Sequence, residues 1–230
     1  ADLRNEASGT PPTPQPTTAV ARPAQRQRLL DLTVNLLGPI ELIRDPDRPF
    51  APDAWTTRRA RDIFCFIASS KYRRVAKEVL IDNFWRDDDP TVVEKNFHPT
   101  IPHIRKALNS RQSLKQNFLV FRDGAYQLNP DLSYFIDVEE FDRLVSEAEA
   151  AKRDKDNDRL RASLEGAYAL YRGEFMAGVY EDWAEERRNH YAEQFGRVAG
   201  ALAKLSLTER RFADAQRFAA EVLKLDPYRE

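Results

Sequence analysis

Apolar positions change period several times along the chain. In DLTVNLLGPIELIRDPDRPF, short β-rich runs are broken by Gly38-Pro39 and Asp45-Pro46, which predicts two or three short antiparallel strands over residues 31–55. From Thr57, a candidate N-cap, the spacing turns helical: Ala60, Ile63, Phe64 and Ile67 share one face of TRRARDIFCFIASS. A second helix is predicted in VAKEVLIDNFW, with Val75, Val79, Leu80 and Phe84 at helical spacing. The acidic turn RDDDP follows, then NFHPTIPHIRKAL, then NFLVFRDGAYQL. In that last run, Asp123-Gly124 between two β-rich segments is a strong hairpin signal. Residues 31–128 therefore read strand–strand–helix–helix–helix–hairpin, a winged helix–turn–helix arrangement.

The third helix raises a conflict. Phe97, Ile101, Ile104 and Leu108 form one apolar stripe, while Lys95, His103 and Lys106 fall opposite, with Arg105 at the edge. Pro99 and Pro102 sit inside, and an interior proline costs a helix about 3 kcal/mol. Three readings stand. The helix begins near Thr100, so that Pro102 lies in its first turn. Or it is continuous but kinked, with proline rings making apolar contacts, for instance to thymine methyls. Or base reading is lost and the module binds protein.

From Phe135 onward the pattern is helical throughout: FDRLVSEAEAAKR, LRASLEGAYALYRGEF, DWAEERRNHYAEQFGRVAGALAKLS and RFADAQRFAAEVLKLDP. Small residues recur where helices approach closely, at Ala167, Ala169, Ala199, Ala201, Ala203, Ala213 and Ala215. The final segment, closing on Asp226-Pro227, resembles the second helix of a tetratricopeptide repeat, without a clean self-repeat. The predicted fold class is mainly α with small β: a winged helix–turn–helix domain plus an α-helical TPR-like domain.

Composition adds boundaries. Residues 8–27, SGTPPTPQPTTAVARPAQRQ, hold almost no large apolar side chain and read as a semi-extended linker. The expected division is residues 1–30 as linker and stub of an absent N-terminal module, 31–135 as the winged helix, and 136–230 as the helical domain. The start without Met and the stop at DPYRE read as a fragment, truncated at its C-terminus. Hydrophobic residues make up 42% of the chain and charged residues 32%. No apolar run approaches the roughly 18 residues of a membrane span. The single cysteine, Cys65, sits in IFCFIA and reads as a reduced core thiol, which fits the cytoplasm.

The net charge of −1 conceals a gradient. Residues 58–122 carry +7 and residues 123–230 carry −7. A basic middle and an acidic C-terminal half suggest modules with different partners.

Particular residues carry a family resemblance. LLGPIEL, LIDNFW, the IPHIRKAL helix and the FLVFRDGAYQL wing resemble the effector domain of OmpR/PhoB-type response regulators. DVEEFDRL, ALYRGEF, EDWAEERR and LKLDPYRE resemble the bacterial transcriptional activator domain. The tandem is similar to SARP-type transcriptional regulators over about 200 residues. Normal family members have ordinary helix residues at the positions of Pro99 and Pro102.

The resemblance implies sequence-specific binding of double-stranded DNA, often as a homodimer, and recruitment of RNA polymerase. It also implies a sensor or receiver module that the linker would join. The implied base-reading face includes Lys95, Asn96, Thr100 and His103, with Arg105 and Lys106 on phosphates. Arg58, Arg59, Arg61 and Lys115 are further phosphate candidates. Trp85 matches a family tryptophan whose indole N–H is a backbone-contact candidate; core packing is its other reading. Arg122, at the hairpin, either enters the minor groove or is a solvated turn residue. Asp87, Asp88 and Asp89 form a solvated acidic loop, which in the family is the loop that approaches polymerase.

Nothing in the sequence points to catalysis or a cofactor. His98 and His103 are off one helical face, and no phosphate loop, Cys/His spacing or nucleophile elbow occurs. Tyr168, Tyr171, Phe175, Tyr180 and Trp183 cluster around RGEF, as an aromatic core at a helix junction or as a groove for a partner helix or the absent module. The leading expectation is a non-enzymatic, cytoplasmic transcription regulator without membrane contact. The alternative is a signalling adaptor that keeps the fold but binds protein through the proline-bearing helix.

Overall fold

Residue Val34 anchors the first sheet. In the computed structural model, which describes residues 30–44, 50, 54–109 and 117–225, β1 (Leu32–Asn35) is buried over Leu32, Thr33 and Val34. A strand covered on both faces reads as a continuous run rather than an alternating one. It pairs antiparallel with β2 (Glu41–Ile43), Val34 opposite Leu42, and parallel with β6 (Tyr134–Ile136), Val34 opposite Ile136. The third strand of this sheet thus comes from a distant segment, and Phe135 belongs to a strand rather than to the helical half. The linker at 8–27, Asp45-Pro46, Lys115 and Asp226-Pro227 lie outside the described residues.

Helix α1 (Arg58–Ala68) starts where Thr57 Oγ1 accepts a hydrogen bond from the Ala60 amide at 3.2 Å. Residues Asp62–Ala68 are all buried, so α1 is the central helix of the core. Cys65 is a free thiol with no exposed surface, and burial pushes its pKa up. A 3-10 turn, Lys71–Arg73, then leads into β3 (Arg74–Ala76) and α2 (Lys77–Phe84). Val75 is therefore a strand residue, paired with Tyr126, and not part of a helical stripe. Helix α3 (Pro90–Leu108) packs on α1.

The second sheet is the wing. β4 (Leu119–Arg122) and β5 (Ala125–Leu128) form a hairpin, and β3 joins it in the order β3-β5-β4. Asp123 and Gly124 have φ of 47° and 73°, the paired left-handed conformation of a type I′ turn.

Four helices make the second half: α4 (Asp137–Asp154), α5 (Asn157–Leu170), α6 (Asp182–Thr208) and α7 (Phe212–Leu225). They pack as consecutive pairs, as in TPR-like folds. Gly166 allows α5 to approach Leu144 so closely that a Cβ there would lie 3.1 Å from its side chain.

RGEF is not the end of a helix. After Leu170 the chain leaves α5 and docks on the end of β1. Phe175 bridges Leu37, the Met176 amide donates to the Leu36 carbonyl at 2.7 Å, and the Gly38 amide donates to the Glu174 carbonyl at 3.1 Å. Gly38 has φ of 127°, and a Cβ there would meet Arg172 Cβ at 3.2 Å, so the docking requires glycine. At the same place Asp137 Oδ2 accepts from the Leu36 and Leu37 amides at 2.7 and 2.8 Å.

Candidate nucleic-acid interface

Helix α3 is one uninterrupted element. Asp89 caps it, its Oδ1 accepting from the Thr91 amide at 2.9 Å and the Thr91 hydroxyl at 2.6 Å, and Pro90 occupies the first turn where a missing N–H costs little. The reading that begins the helix near Thr100 is therefore overturned: both prolines are interior. The apolar stripe is buried as expected, at Phe97, Ile101, Ile104 and Leu108, extended by Val93 and Ala107. The opposite face exposes Lys95, Asn96, His98, Pro99, Pro102 and Lys106.

Several expected contact residues have other positions. Thr100 is only 8% exposed, and its Oγ1 donates to the Asn96 carbonyl at 2.8 Å. It flanks the packed stripe and cannot meet a base edge. His103 is half-buried. Arg105 spends its Nε on the Leu119 carbonyl at 3.2 Å, which fixes α3 to the wing. Trp85 is 3% exposed, set between Phe84 and Phe97 at ring distances of 6.2 and 5.6 Å. That burial is core packing, the second of its two readings; among the described residues its indole nitrogen meets no partner. Arg61 pairs with the buried Asp62 at 2.9 Å. Burial raises the Asp62 pKa, and the Arg61 charge opposes that rise.

Arg58 and Arg59 are exposed, the latter with its guanidinium 5.2 Å from the Trp85 ring. Arg122 is exposed at the end of β4, beside the turn. Arg74 stands next to it, donating to the Arg122 and Asp123 carbonyls at 3.4 and 3.2 Å. Sequence reasoning missed Arg74, because a three-residue strand between two helices carries no period of its own. It also missed Phe121, 48% exposed on the wing and 4.7 Å from the Tyr126 ring.

Of the acidic loop, Asp87 and Asp88 are free at the surface, whereas Asp89 is committed to the cap of α3. Hydrogen bonds from Thr91 hold its carboxyl below the usual range. The loop edges a cleft of about 450 Å³ shared with Arg59, Tyr180 and Trp183.

The helical half grips the back of this surface. Trp183 of α6 meets Phe66 edge-on at 4.9 Å and Phe84 at 5.7 Å. Arg187 donates to the Ser69 carbonyl at 2.9 Å, just past the C-terminal end of α1 where a cation is favoured. Arg73 and Glu139 form a two-pronged ion pair at 2.8 and 2.7 Å. The aromatic cluster splits into parts: Tyr171 stacks on Phe195 at 4.2 Å, Phe175 lies 5.5 Å from Tyr191, and Tyr180 stands apart, 89% exposed.

Residues 136–230 match the bacterial transcriptional activator domain family. With the winged helix before them, these residues complete a two-part architecture. A solved structure of Mycobacterium tuberculosis EmbR, in complex with a low-affinity phosphopeptide, has the same fold with a TM-score of 0.71 at 19% identity. The match covers 87% of this chain and 52% of that one, so the chain spans about half the length of its structural relative. Among curated proteins none matches. Among the described residues no helix is long and apolar enough to cross a membrane, and no group of three or more His, Cys, Asp or Glu is placed to hold a metal ion.

Proposed function

We propose that the chain is a transcriptional regulator that binds duplex DNA through α3 and the wing. The observation that supports this best is the exposed face of α3: Lys95, Asn96 and Lys106 stand free on a helix whose other side is packed, beside a hairpin carrying Arg122 and Arg74. A helix of this kind fits the major groove, and a basic wing tip lies within reach of adjacent phosphates. Arg58 extends the basic surface, and His103 is at its edge. The activator domain then serves dimer and partner contacts, with Asp87 and Asp88 as the surface offered to RNA polymerase. A sensor or receiver module on the N-terminal side of the linker is part of the same proposal, as is a cytoplasmic location.

The test is duplex binding at two salt concentrations, against DNA upstream of the chain's own coding region. A specific shift that weakens steeply with salt is expected, since phosphate contacts release counterions. Binding no stronger than to random duplex would favour the protein-binding adaptor instead.

A further inference from the structure

Pro99 and Pro102 occupy the middle of the exposed face of α3, between Lys95 and Lys106. A proline has no N–H to give to the carbonyl four residues back. In α3 the two carbonyls deprived of that donor belong to Lys95 and His98, both exposed residues. The ring of each proline crowds that carbonyl, and what it presents on the outer face is an exposed apolar ring.

Resting on the duplex reading above, we propose that Pro99 and Pro102 make α3 a reader of neighbouring A·T pairs. In the major groove an A·T pair displays an adenine N6–H donor and a thymine methyl; a G·C pair displays a cytosine amine but no methyl. The pyrrolidine ring packs on the thymine methyl. Arginine and lysine, the usual readers of guanine, do not occupy these positions. Three helical residues rise about 4.5 Å, against about 3.4 Å between stacked pairs, so the two prolines address adjacent or nearly adjacent pairs. Lys95 and Lys106, one turn beyond each end of this stretch, hold the register on phosphates.

The test is selection from randomised duplexes by the wild-type chain and by a Pro99→Ala/Pro102→Ala variant. Alanine restores both N–H groups and favours helix, so the variant folds, with a thermal midpoint at or above that of the wild type. The wild type is expected to enrich neighbouring A·T pairs, and replacing each contacted thymine by uracil weakens binding about fourfold, the value of one methyl. The variant is expected to bind duplex with the same salt slope but to lose its response to the thymine methyl and about tenfold of its A·T preference. Guanine–cytosine enrichment by the wild type, or an unchanged A·T preference in the variant, overturns the inference and leaves duplex binding standing. Failure of both proteins to bind any duplex overturns the duplex reading and this inference with it.

Discussion

Asp137 is the residue on which the two halves turn. Its Oδ2 takes two amides from the end of β1, while its buried Oδ1 has no partner among the described residues. Burial pushes its pKa up to about 6, against the pull of those amides and of Arg172. The folded protein therefore holds a proton at pH values where the unfolded chain has released it. The stability this residue contributes is present at low pH and is lost as pH rises from about 4 to about 6, a share of at most about 3 kcal/mol. Urea unfolding from pH 4 to 7 should show that fall, and Asp137→Asn should flatten it. Trp183 is the second such residue. Trp183→Ala removes the ring wedged against Phe66 and Phe84 and is expected to cost about 3–5 kcal/mol, read as a lowered urea midpoint. No local pattern reveals either role. Thr100 is placed on the reading face only by the family resemblance, which does not say how far a neighbouring element covers it, and Trp85 takes the packed alternative that the sequence leaves open.

At the scale of elements, what was legible was local. Thr57 caps α1 and Asp123-Gly124 makes a hairpin, because caps and turns are decided by residues within a few positions of each other. What was hidden was non-local: β3 exists because β5 offers it a ladder, β6 because β1 does, and RGEF leaves its helix to reach Leu37. The wing turn gives a clean test. A Cβ at Gly124 would meet nothing within 4 Å, so Gly124→Ala costs only conformational energy, about 1 kcal/mol by urea unfolding, for an alanine held at φ of 73°. A loss several times larger would mean the turn carries more than its backbone geometry. In α3 the capped start at Asp89 and the packed stripe hold the helix through two interior prolines that propensity alone argues against.

At the scale of the molecule, the winged helix and the helical half share a sheet edge, an aromatic joint and the Arg187 and Arg73 contacts. They are expected to unfold in one cooperative transition, and calorimetry resolving two would separate them. The charge gradient fits this arrangement: the basic segment carries the proposed DNA surface, and the acidic half packs behind it. The central claim, that α3 and the wing bind duplex, is tested most directly by the salt dependence of binding. Kd for a selected duplex should be measured at several salt concentrations for the wild type and for a Lys95→Ala/Lys106→Ala/Arg122→Ala variant. The account predicts weaker binding by the variant and a slope of log Kd on log salt lowered by about 3, close to one for each phosphate that no longer has its cation. An unchanged slope, with binding intact, would contradict it and move the DNA-binding surface elsewhere on the protein.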